Sequence, residues 1–165
     1  APFAEGGFPT ASGRCEFDRE LPRKDGDSLP NHVPNREVAG ASAAYPLAMI
    51  SPPARHFLNS SFVNVQSLRS IEGEPLLEIH PQDAAPRGIA SGMLVEVFND
   101  RGRYHCKAEV SERARPGVVN GLGIWWRKLG PRGTNVNELT SQKLTDMGRG
   151  PTFYDCAVQV ALAAP

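Results

Sequence analysis

Apolar and polar positions alternate along much of the chain, in short runs punctuated by Gly and Pro. Arg14-Cys15-Glu16-Phe17-Asp18 alternates after a turn at Gly13 and predicts a half-buried strand. Leu21 to Ala44 is polar and carries Pro22, Pro30 and Pro34, which predicts an extended linker lying over the surface. Pro46-Leu47-Ala48-Met49-Ile50-Ser51 predicts a short strand, stopped by Pro52-Pro53 because proline cannot donate to a ladder. Between Asn59 and Leu68, the residues Phe62, Val65 and Leu68 share one face at i, i+3, i+6, which suits a short helix or an irregular turn. A strand is expected from Leu76 to His80. A short helix follows from Pro81, with Gly88 at its end.

The strongest pattern is at 93–111. Met93 to Phe98 is β-rich, and Asn99-Asp100-Arg101-Gly102 suits a type I turn. Tyr104, Cys106, Ala108 and Val110 then alternate with His105, Lys107, Glu109 and Ser111, predicting a hairpin with one wet face. Pro116-Gly117 turns into Val118-Val119, and Ile124-Trp125-Trp126 forms an apolar patch. A Gly-rich polar loop spans 127–152, and Val158, Val160 and Leu162 close the chain with a strand. Many short strands with little helix predict a mainly β fold, a closed or nearly closed barrel.

Composition narrows the function. Gly 16 and Pro 15 make up about a fifth of the 165 residues, which requires many turns. Lys+Arg and Asp+Glu are 18 each, so no broad basic field exists to attract nucleic acid or an acidic membrane. No apolar run approaches the ~20 residues of a membrane span, and Ala1 to Glu5 lacks the basic start of a secretory signal. Cys15, Cys106 and Cys156 match no metal or disulfide framework and are expected to be small core residues in a reducing compartment. The signatures G-x-S-x-G, G-x-x-x-x-G-K-[ST] and H-E-x-x-H are absent, and His32, His56, His80 and His105 lack ligand-like spacing.

Two polar segments stand out. Ser51 to Ser61 follows a strand and packs Arg55, His56, Asn59, Ser60 and Ser61 into a few residues. Such a loop can bind an anionic group, or it can be a helix cap beside a solvated Arg. Gly133 to Thr140 holds Asn135 and Asn137, whose amides suit a heterocycle edge but equally suit a capped turn.

These residues also resemble a known family. Phe8-Pro9-Thr10-Ala11-Ser12-Gly13-Arg14-Cys15-Glu16 is similar to the run that opens the C-terminal region of the dimethyl sulfoxide reductase family of molybdenum and tungsten enzymes. Tyr45-Pro46-Leu47, His56-Phe57-Leu58-Asn59-Ser60, Leu77 to Ala84, Gly88-Ile89, Gly92, Trp125-Trp126, Val136 to Thr140 and Pro151 to Asp155 follow in family order, over roughly residues 8–162. The resemblance implies a double-psi β-barrel with a few short helices and long loops. It implies an extended N-terminal segment, 1–44, with one strand packing on the barrel, and the barrel domain at 45–165. It further implies binding of molybdopterin guanine dinucleotide, with Mo or W carried through the cofactor and not ligated by this chain. Ser51, Arg55, His56, Asn59, Ser60 and Ser61 would form the cofactor loop, Asn137 would face the pterin, and Tyr154 would lie near the cofactor. Ser51-Pro52-Pro53 stands where many relatives have Thr-Gly-Arg.

The implied partners are the remaining domains of a parent oxidoreductase, in the cytoplasm or the periplasm, with neither nucleic acid nor membrane. No catalytic residue is expected in the chain itself. The competing expectation is a non-catalytic double-psi barrel serving as an accessory subunit or partner-binding module.

Overall fold

The period-two runs become six strands that close on themselves: β1 (Leu47–Ile50), β2 (Leu76–Ile79), β3 (Leu94–Phe98), β4 (Arg103–Val110), β5 (Val118–Leu122) and β6 (Ala157–Leu162). A computed structural model describes residues 1–16, 34–40, 42–145 and 148–165, in two compact units, Ala1–Pro34 and Asn35–Pro165. Around the barrel the order is β1-β5-β2-β4-β3-β6, and β6 pairs back to β1. Two pairs are parallel, β1 with β5 and β2 with β4, and the others antiparallel, as a double-psi barrel requires.

Alternate residues point inward and fill the barrel. Leu47, Met49, Leu77, Ile79, Val95, Val97, Tyr104, Cys106, Val119, Val158 and Val160 form one buried cluster. Val136 and Leu139 join it from the long loop. Gly121 makes room for this: a Cβ there would sit 3.3 Å from Val136 Cγ2. Burying each of the two side chains stabilises the loop by about 1.5–3 kcal/mol.

Short helices decorate the barrel. Asn35 caps α1 (Arg36–Ala39), accepting the N–H groups of Glu37 and Val38 at 3.0 and 3.1 Å. Expected as part of an extended linker, α1 forms because the Glu37 carboxylate binds the barrel through Arg101 and the Ala157 N–H. Residues 21–33 of that linker lie outside the described residues. α3 (Pro81–Ala84) is capped by His80, whose Nδ1 accepts from the Gln82 N–H, and the turn after it ends at Gly88 in the left-handed region.

Four expectations need correction. Residues 14–16 carry no strand, and Phe17 and Asp18 lie outside the described residues. In their place, Thr10 Oγ1 donates to the Arg14 carbonyl at 2.6 Å and Ser12 Oγ to Glu16 at 2.6 Å, so side chains tie this stretch as turns. The helix expected in 59–68 is α2 (Gln66–Glu72), and the buried residue before it is Val63; Phe62 is exposed, with φ 74°. Cys15 is exposed, while Cys106 and Cys156 are buried. On the face of β4 expected to be wet, His105 is only 6% exposed because the loop at Thr134 covers it. Among the described residues no helix is long and apolar enough to cross a membrane.

The buried cysteines give the barrel an alkaline limit. Burial pushes the Cys156 thiol from 9.0 up to about 11, with Arg101 pulling the other way. The folded chain therefore favours the neutral thiol. Its stabilisation is complete below pH 9 and is lost as pH rises toward 11. Cys156→Ala should flatten the fall of Tm across that window relative to the parent chain; an identical slope would remove Cys156 as the cause.

Candidate functional site

Both polar segments are built on the exit of β5. At Gly123 the chain forms a parallel bridge with Pro53: the Gly123 N–H donates to the Pro52 carbonyl at 3.2 Å, and the Ala54 N–H donates to the Gly123 carbonyl at 3.0 Å. The Ile124 N–H reaches the Asn59 carbonyl at 3.4 Å, and Trp126 Nε1 donates to the Ser60 carbonyl at 2.8 Å. From the other side Asn135 Nδ2 donates to the Trp125 carbonyl. One short stretch, Gly123 to Trp126, thus anchors the loop at 51–61 and the loop at 133–140.

Beneath the first loop lies a second apolar cluster of Ala54, Phe57, Val63 and Trp125, with Leu68, Trp126 and Leu129 packed against it. The Phe57 and Trp125 rings meet edge to face at 5.1 Å. Their burial forces the polar residues between them outward. The Leu58 and Ser61 N–H groups exchange bonds with each other's carbonyls at 3.2 and 2.8 Å, closing a tight turn in which Asn59 takes φ 51°. Asn tolerates that left-handed conformation better than most residues.

Asn59 caps no helix, since Val65 stands at the start of α2 without a side-chain bond. Arg55, Asn59, Ser60 and Ser61 are exposed, and none of their side chains has a hydrogen-bond partner among the described residues. Ser51 is only 9% exposed, and its hydroxyl is likewise without one. His56 differs. Its backbone N–H donates to Glu72 Oε1 at 2.5 Å and its Nδ1 lies 2.7 Å from the same oxygen, so Glu72 orients the ring and leaves Nε2 available. Glu72 sits at the end of α2, sixteen residues on, where no local spacing points to it.

The second segment is a capped turn, and the caps are Asn135 and Glu138. Asn135 Oδ1 accepts the Asn137 N–H at 2.9 Å, and Glu138 returns to the Asn135 N–H at 3.0 Å. Asn137 is not a cap: its amide is exposed and has no partner among the described residues. Tyr154 is exposed and packs on Phe153 at 4.4 Å; no hydrogen bond or ring contact links it to either loop. The structure therefore gathers Ser51, Arg55, His56, Asn59, Ser60, Ser61 and Asn137 around one strand exit and leaves Tyr154 apart. Among the described residues, no three His, Cys, Asp or Glu side chains gather to hold a metal ion.

Barrel and loops together define a ligand-binding β-barrel domain, with unpaired donors raised on two anchored loops. The chain matches the family described as "Molydopterin dinucleotide binding domain" over residues 47–157, and it belongs to that family. It is 36% identical over 169 residues to the "Putative dimethyl sulfoxide reductase catalytic subunit" of Halobacterium salinarum, covering 95% of this chain and 20% of that protein. It is 34% identical over 148 residues to the dimethyl sulfoxide reductase DmsA of Escherichia coli, covering 86% and 18%. The chain thus spans about a fifth of the length of these relatives. Acetylene hydratase from Pelobacter acetylenicus shares the fold, at a TM-score of 0.74 and 20% identity over 93% of this chain and 24% of that one.

Proposed function

We propose that this chain grips a molybdopterin guanine dinucleotide as one domain of a larger molybdenum or tungsten oxidoreductase. The observation that carries the reading is the set of polar side chains without protein partners on two loops that share one anchor. A protein that leaves Arg, Asn and Ser side chains unpaired on rigidly held loops has donors ready for a ligand. The donor set fits a long anionic dinucleotide: a cation and hydroxyls for phosphate, an amide for a heterocycle edge. Zero net charge agrees with gripping by aimed donors rather than by a broad field.

In this reading Arg55, Ser60 and Ser61 bind phosphate oxygens, with Asn59 beside them on the tight turn. Ser51, at the buried root of the loop, donates its hydroxyl. His56, fixed by Glu72, presents Nε2. Asn137 hydrogen-bonds the pterin edge as donor and acceptor together, and Tyr154 lines the approach. When bound, the cofactor supplies the redox chemistry through its metal, which residues outside this chain ligate.

Asn137→Asp tests this in the full-length oxidoreductase. The change keeps the shape and swaps a donor for a charge, leaving a pterin N–H or carbonyl mispaired. A mismatch of that kind costs about 1–3 kcal/mol, roughly one to two decades in affinity. Cofactor content should fall while the melting temperature of cofactor-free protein stays put. Full cofactor content in the variant would favour an accessory or partner-binding barrel.

A further inference from the structure

We infer that Arg101, held by Glu37, is a positioning residue for Asn137: it fixes the turn that presents the amide and does not touch the ligand. The inference rests on the proposed role of Asn137 and adds to it a second layer drawn from distant parts of the chain.

The Leu139 carbonyl, two residues past Asn137, receives three donors. Arg101 Nε reaches it at 2.6 Å, Asn99 Nδ2 at 3.0 Å and Cys156 Sγ at 3.2 Å. Asn99 and Arg101 belong to the turn between β3 and β4, so the hairpin tip grips the end of the turn that carries Asn137. Its Gly102 lies so close that a Cβ there would meet the Glu138 carbonyl at 2.8 Å. The other end of the turn is tied to the same hairpin, since the His105 N–H donates to Thr134 Oγ1 at 2.8 Å. Between these ties the Asn137 carbonyl accepts the Thr140 hydroxyl at 3.0 Å, leaving only the Asn137 amide unpaired.

Arg101 is itself fully directed. Its Nη1 and Nη2 donate to the two oxygens of Glu37 at 3.2 and 2.6 Å, and Glu37 Oε1 also accepts the Ala157 N–H at 2.8 Å. The hydrogen bond to Glu37 raises the Arg101 pKa, holding the guanidinium charged. Asn35, which caps α1, donates to Asp155 at 2.7 Å and so pins the helix that carries Glu37. A surface ion pair alone adds little. The Arg101–Glu37 pair differs because the fork geometry aims Nε at one carbonyl, and lysine cannot reproduce that aim.

The test uses the full-length oxidoreductase and four proteins: parent, Arg101→Lys, Asn137→Ala and the double variant. Each loaded protein is dialysed, and released pterin is followed by its fluorescence after oxidation. Arg101→Lys should speed cofactor loss about threefold to tenfold, the scale of one misdirected hydrogen bond. In the Asn137→Ala background the same change should add nothing, because the residue it positions is gone. An equal acceleration in both backgrounds would make Arg101 a general structural residue and overturn the inference. So would normal retention in Arg101→Lys alongside rapid loss in Asn137→Ala. Normal retention in Asn137→Ala would overturn the Asn137 role, and the inference with it. Should Arg101→Lys not fold, Glu37→Gln keeps the guanidinium but weakens its fork, and the same four-way comparison applies.

Discussion

Leu77→Ala is expected to destabilise the chain by about 2–5 kcal/mol, enough to consume much of the stability of a domain this size. Leu77 is fully buried at the middle of β2, paired to Ala108 on β4 and to Gly121 on β5. Its neighbours offer little bulk to fill the gap: one has a single methyl, and the other has no side chain and lies under Val136. The cavity should therefore persist, which places the cost toward the upper part of the range. Urea unfolding would show a lower midpoint at unchanged slope. Ile71→Ala, on the exposed face of α2, serves as the control and should change the stability by no more than about 0.5 kcal/mol. Equal shifts for the two would mean that the barrel interior does not carry the stability.

Much of the barrel could be read from sequence because its code is local. In β3, β4 and β6 inward and outward residues alternate, and Gly, Pro and Asn mark the turns between strands. The registers could not be read, since pairing β1 with β5 depends on residues seventy positions apart. The long loop misled for a related reason. Its glycines and polar residues suggest solvent, yet Val136 and Leu139 plug the barrel, and only Gly121 on a distant strand shows why they fit. His105 became buried for the same cause: the loop that covers it starts twenty-nine residues later.

The candidate site divides along the same line. Sequence located both polar segments but could not say which side chains were already engaged. Asn135 and Asn137 are chemically alike and two residues apart; backbone geometry alone makes one a cap and leaves the other unpaired. Glu72, Glu37 and Arg101 went unseen because each acts on a residue far from it in sequence. The resemblance to a family of large enzymes supplied the ligand, which the donors alone describe only as an anion with a heterocyclic edge.

Trp125→Ala is expected to cost about 3–5 kcal/mol, and to cost it in one place. The indole is 4% exposed, and its edge-to-face contact with Phe57 adds about 0.5–1.5 kcal/mol beyond burial. The cluster around it, Ala54, Phe57 and Val63, is separate from the barrel core. Truncation should therefore release the loop at 51–65 before it releases the strands. Hydrogen exchange distinguishes the two. The amides of Phe57, Leu58, Ser61 and Val65, protected by bonds within the loop, should exchange faster, while those of β3 and β4 keep their protection. Cofactor content should fall as well, because Arg55, Asn59, Ser60 and Ser61 are held outward only by the apolar residues beneath them. Trp125→Phe retains a ring against Phe57 and should recover most of both. Uniform loss of protection across loop and barrel in Trp125→Ala would mean that the two clusters unfold as one, and that the loop has no separate stability to lose.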